Sequence, residues 1–72
     1  NIMNYEILAN AIVEQAAKDY RWARAVLAKD AKNADAIDMR ADTEQFFHSA
    51  WFALLTSLDG EWLLQKLEGE FA

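Results

Sequence analysis

The sequence predicts an all-α protein: a long antiparallel helical hairpin over about 4–32 and 35–57, with a short C-terminal helix over about 59–71 folded back on it. Two observations carry this reading. The 72 residues hold no Pro and only Gly60 and Gly69, while alanine, the best helix former, is the commonest residue. Apolar residues also recur at intervals of three and four rather than two, which is helical periodicity. A chain of this length makes one domain.

Asn4 is placed to cap the first helix, with Glu6 favourably in its first turn. Tyr5, Ala9, Ile12, Ala16, Tyr20, Ala23 and Leu27 then line one face. Ala9, Ala16 and Ala23 recur every seventh residue and would let a second helix approach closely. Lys29 and Lys32 suit the negative end of this helix, and Asn33 suits a left-handed cap. Asp35 is the expected cap of the second helix, with Asp38 in a box-like position. Its apolar face is Ala36, Met39, Thr43, Phe46/Phe47, Ala50, Leu54 and Leu58, and we read it as one continuous helix. Asp59 caps the third helix, whose face is Leu63, Leu67 and Phe71, with Trp62 and Leu64 on the flanks.

The net charge is -5, unevenly placed. The first 34 residues sum to +1 and the rest to -6. In an antiparallel hairpin, Arg21, Arg24, Lys29 and Lys32 would lie near Asp35, Asp38 and Asp42. The chain lacks the basic excess that phosphate neutralisation requires, so neither nucleic acid nor an anionic membrane is an expected partner. It has no Cys, which excludes disulfide scaffolds and thiolate zinc sites. The longest uninterrupted apolar run, Ala50 to Leu55, is far short of the roughly 20 residues that span a bilayer. Asn1-Ile2 ahead of Met3 reads as a cloning scar, no secretion signal is visible, and a cytoplasmic location is the default.

The apolar supply exceeds what these faces use. The apolar fraction is 54%, and from Phe46 to Leu55 the second helix is apolar nearly all round. A helix of that kind is buried on more than one side. Part of the surplus can serve the three-helix core. The rest makes Trp22, Trp51, Phe52, Leu55 and Trp62 the candidate interface residues, for a homodimer or for another protein.

Reactive chemistry is poorly represented. His48 has only Glu44 one turn away, and a metal site needs three or four ligands. Asp35, Asp38 and Asp42 share a face and in principle suit Mg²⁺, but capping and charge pairing explain them better. Ser49, Thr56 and Ser57 lack triad partners, and no phosphate or dinucleotide loop is present. A helix-turn-helix reading would use Glu61–Glu70 as its recognition helix, which carries three acids against Lys66. The expectation is therefore a non-enzyme with no catalytic residue, no cofactor, no metal and no small-molecule substrate. The alternative is a nucleic-acid-associated accessory or transcriptional factor using Arg21, Arg24, Lys29 and Lys32.

The run Glu44-Gln45-Phe46-Phe47-His48-Ser49-Ala50-Trp51-Phe52, with Leu55-Thr56-Ser57-Leu58-Asp59-Gly60-Glu61 and Leu63-Leu64, resembles a family of short helical proteins encoded by prophages and mobile elements of Gram-positive bacteria. Ala11–Ala16 and Asp19-Tyr20-Arg21 are similar as well. The resemblance spans about Tyr5 to Leu67. It implies a phage or mobile-element setting and assigns no activity.

Overall fold

The computed structural model describes residues 2–72, with side chains from Asn4 onward. Asn1, the first residue of the Asn1-Ile2 pair read as a scar, lies outside that description. Four helices follow in order: α1 (Ile2–Lys29), α2 (Ala34–Phe47), α3 (Ala50–Leu55) and α4 (Gly60–Gly69). Helix accounts for 81% of the chain, and no described residue forms a strand. None of these helices is long and apolar enough to cross a membrane.

The long hairpin is present, with α1 packed along α2. Its antiparallel sense follows from the neighbours. Leu27 lines one hollow with Ile37 and Ala41 at the hairpin end, whereas Ile12 and Ala16 line another with Phe46 further along. The 28 residues of α1 make it about 42 Å long at 1.5 Å per residue. That matches the 43 Å long axis of the molecule.

Both hairpin caps differ from expectation. α1 ends at Lys29 rather than Lys32, because the Asp30 carboxylate accepts from the Lys32 backbone N–H at 3.2 Å. This local bond competes with another helical turn. Asn33, not Asp35, caps α2. Its backbone is extended rather than left-handed, and its side chain accepts from the Ala36 N–H at 2.9 Å. Asp35 sits in the first turn of α2, where a negative charge is favourable.

The expected continuous helix over 35–57 is broken at His48 and Ser49. Ser49 is extended, at φ -82° and ψ 156°. Its hydroxyl donates to the Phe46 carbonyl at 2.7 Å and accepts from the Phe52 N–H at 3.1 Å. One side chain thus satisfies a carbonyl at the end of α2 and an N–H at the start of α3. Thr56 ends α3, and Asp59 caps α4 by accepting from the N–H groups of Glu61 and Trp62. The capping role expected of Asp59 is therefore present.

The break decides which residues are inside. A helix running on in phase would bury Leu54 and Leu58. Restarting at Ser49 turns Phe52 inward instead, and both leucines face outward. Val13, Tyr20, Phe47, Phe52, Leu64 and Leu67 form the core, flanked by Ala16, Ala17, Phe46, Leu55 and Leu63. Phe46, Phe47 and Phe52 pack edge-on or tilted, with centroids 5.5–5.6 Å apart, a favourable aromatic geometry. Ala9, Ala23 and Ala36 are buried, consistent with close helix approach. Tyr5, expected on the inner face of α1, is half-exposed, and Val13 is buried in the core.

Candidate protein-interaction surface

Of the five candidate interface residues, three lie at the surface. Trp22, Trp51 and Trp62 are 47%, 55% and 52% exposed. Phe52 is only 2% exposed and belongs to the core, so it is not available for docking, and Leu55 is half-buried against that core. The reason is the Ser49 restart, which exchanges the inner and outer faces of this segment. Leu54, at 76% exposure, takes the outward place.

The three tryptophans do not form one patch. Trp62, on α4, lies under the Lys66 ammonium, 5.4 Å from its ring centroid. That cation partly screens the indole. Trp51 lies in the first turn of α3 and meets the Phe46 ring edge-on at 5.5 Å. Trp22 stands on the outer side of α1.

Trp51 and Phe46 close one end of a groove of about 330 Å³ between α1 and α2. Ile12 and Ala16 form one wall, and Met39 and Thr43 the other. The Thr43 hydroxyl donates back to the carbonyls of Met39 and Arg40, so the hydroxyl is satisfied locally and its methyl is left for the groove. Gln15, Asp19 and Asp42 stand at the edges. Asp19 accepts from the Gln15 amide at 2.8 Å, and among the described residues no cation pairs with either aspartate. The result is a mostly apolar trough edged by two uncompensated carboxylates. Composition alone does not reveal it, because Ile12, Met39 and Phe46 equally suit a closed hairpin seam.

The expected pairing of basic α1 with acidic α2 does not form. Among the described residues the ion pairs are Arg21–Glu70 and Arg40–Glu44. Arg21 grips Glu70 with two hydrogen bonds, Nε to Oε1 at 2.8 Å and Nη2 to Oε2 at 3.0 Å. These bonds hold the Glu70 carboxyl below its ordinary range and raise the Arg21 guanidinium. Arg24 donates to the Tyr20 hydroxyl and lies 5.2 Å from the Phe71 ring centroid. Both arginines are thus drawn toward the C-terminal residues and away from Asp35, Asp38 and Asp42.

His48 and Glu44 are not brought together as a reactive pair. His48 is exposed at the C-cap of α2, and Glu44 meets Arg40 at 3.5 Å. No group of three or more metal-ligating side chains gathers among the described residues.

Neither the family models, nor the curated proteins, nor the solved structures with which the chain was compared provide a match.

Proposed function

We propose that this chain is a non-enzymatic helical interaction protein that associates with itself. The observation that carries the reading is the placement of large apolar side chains. Tyr5, Leu8, Trp22, Trp51, Leu54 and Trp62 are all about half-exposed or more in a molecule of 8.2 kDa. Isolated exposed apolar residues are ordinary, but an apolar groove with an exposed tryptophan, Trp51, at its lining is typical of a docking surface. A second chain would also thicken a fold that is two helices deep over much of its length. Engagement of Arg21 and Arg24 within the chain favours this reading over the nucleic-acid alternative.

The phage or mobile-element setting, and the bacterial cytoplasm with it, rest on the likeness of the Glu44–Phe52 and Leu55–Leu64 segments. Light scattering coupled to size exclusion tests the function. We expect a mass twice 8.2 kDa at micromolar concentration. A concentration-independent monomer that also captures no protein partner overturns it.

A further inference from the structure

We infer that the α1–α2 groove receives Trp22 of a second copy of this chain, in a twofold-symmetric dimer. This rests on the self-association proposed above and names its surface.

The complementarity lies within one helix. Gln15, Lys18, Trp22 and Lys29 follow at intervals of three, four and seven, so they share one outer stripe of α1. Trp22 is therefore a large apolar side chain flanked by two cations. Among the described residues, neither Lys18 nor Lys29 forms an ion pair. The groove beside this stripe has the opposite character. Its lining is apolar, from Ile12, Met39, Phe46 and Trp51, and Asp19 and Asp42 at its edges pair with no described cation. Trp22 with Lys18 one turn before it fits an apolar trough with Asp19 at its edge in both shape class and sign.

A twofold interface must be self-complementary, with each copy giving what the other receives. The stripe and the groove meet that condition because they adjoin along α1 and share Gln15 at their border. An axis passing between Lys18 and Asp19 runs the two α1 helices antiparallel. It sets Lys18 of each copy against Asp19 of the other. It also sets Trp22 against Gln15 of the other copy, at the mouth of the groove. The two lysine–aspartate contacts then fix the register, while the indoles supply the buried area.

Charge exchange tests the register. Lys18→Asp alone places like charges together twice in a homodimer, and so does Asp19→Lys alone. Each variant should dimerise at least about tenfold more weakly than the parent, the scale of like-charge juxtaposition across an interface. Mixed together, the two variants place opposite charges at both contacts and should recover dimer, read by sedimentation. Trp22→Ala should weaken the dimer by about thirtyfold or more, as loss of a central interface tryptophan does. Circular dichroism confirms that each variant remains helical. If the parent dimerises but the mixture does not recover and Trp22→Ala has no effect, this surface is wrong while self-association stands. If the parent is monomeric throughout, this inference fails with the self-association it rests on, and the interaction reading fails too if no protein partner is captured.

Discussion

Gly60 lies directly against the backbone carbonyl of Phe47. A Cβ added to Gly60 would overlap the Phe47 oxygen and stand 3.1 Å from Cδ1 of Phe52. The backbone of Gly60 has an ordinary negative φ, so the requirement is for space and not for an unusual conformation. This contact brings the start of α4 onto the end of α2, where the chain has just broken.

The first prediction concerns that contact. Gly60→Ala should destabilise the fold by about 1–3 kcal/mol, because a backbone oxygen cannot swing aside as a flexible side chain can. Gly69 is the natural control, since nothing lies within 4 Å of a Cβ built there. Gly69→Ala should be neutral or stabilising by up to about 1 kcal/mol, through reduced freedom of the unfolded chain. Urea denaturation followed by circular dichroism measures both.

A second prediction separates the broken helix from a continuous one. Phe52→Ala should cost about 3–5 kcal/mol, as removal of a buried phenylalanine does. Leu54→Ala should change stability by no more than about 0.5 kcal/mol, as surface substitutions do. A continuous helix in phase with Met39 and Thr43 requires the reverse order. The same urea midpoints decide between them.

The cap that makes the break is itself open to test. Ser49→Ala removes the bonds to Phe46 and Phe52 and should cost about 1 kcal/mol. Ser49→Asp keeps the acceptor for the Phe52 N–H but loses the donor to Phe46, and should recover part of that loss. Asn33→Ala should cost a similar ~1 kcal/mol at the other cap, and Asp35→Ala distinctly less. Matched denaturation curves of the four variants check the ranking.

The Arg21–Glu70 pair predicts a pH dependence. The Glu70 carboxyl is held below its ordinary range by the hydrogen bonds from Arg21. A lowered carboxyl contributes stability that is fully present above its unfolded pKa, about 4.3 for glutamate. That contribution is lost as pH falls through the lower folded value. The pair is solvent-exposed, so its effect should be small and should shrink with added salt. In an NMR titration, Arg21→Gln should move the Glu70 midpoint upward toward the ordinary range. An unchanged midpoint would show that the pair does not persist in solution.

Helix content and the hairpin were legible in the residues, because periodicity and the absence of Pro act locally. Asp59 was readable as a cap for the same reason. The Ser49 break was harder, since the apolar pattern keeps its phase through Thr43 and Phe46/Phe47 and gives no warning two residues ahead. Only a hydroxyl bonding both ways distinguishes a cap from a serine inside a helix. Periodicity alone therefore puts Phe52 among interface candidates and Leu54 within the buried face. The groove was not legible, because its floor uses residues that also read as hairpin seam. Arg21–Glu70 was hidden by its sequence separation, and nearer acids on α2 looked like better partners.

Two bonds span the same distance along the chain. The Tyr5 hydroxyl donates to the Leu54 carbonyl at 3.3 Å, and Arg21 grips Glu70, each closing a separation of 49 residues. The hairpin, by contrast, turns within the four residues 30–33. Closing a short loop costs far less chain entropy than closing a long one. The order of assembly follows: α1 and α2 should zip together early, and the two long-range clasps should engage late. Substitutions at Ala23 or Ala36 should then slow folding, whereas loss of either clasp should mainly hasten unfolding. The C-terminal third of the chain acts as the latch on a hairpin that is already formed.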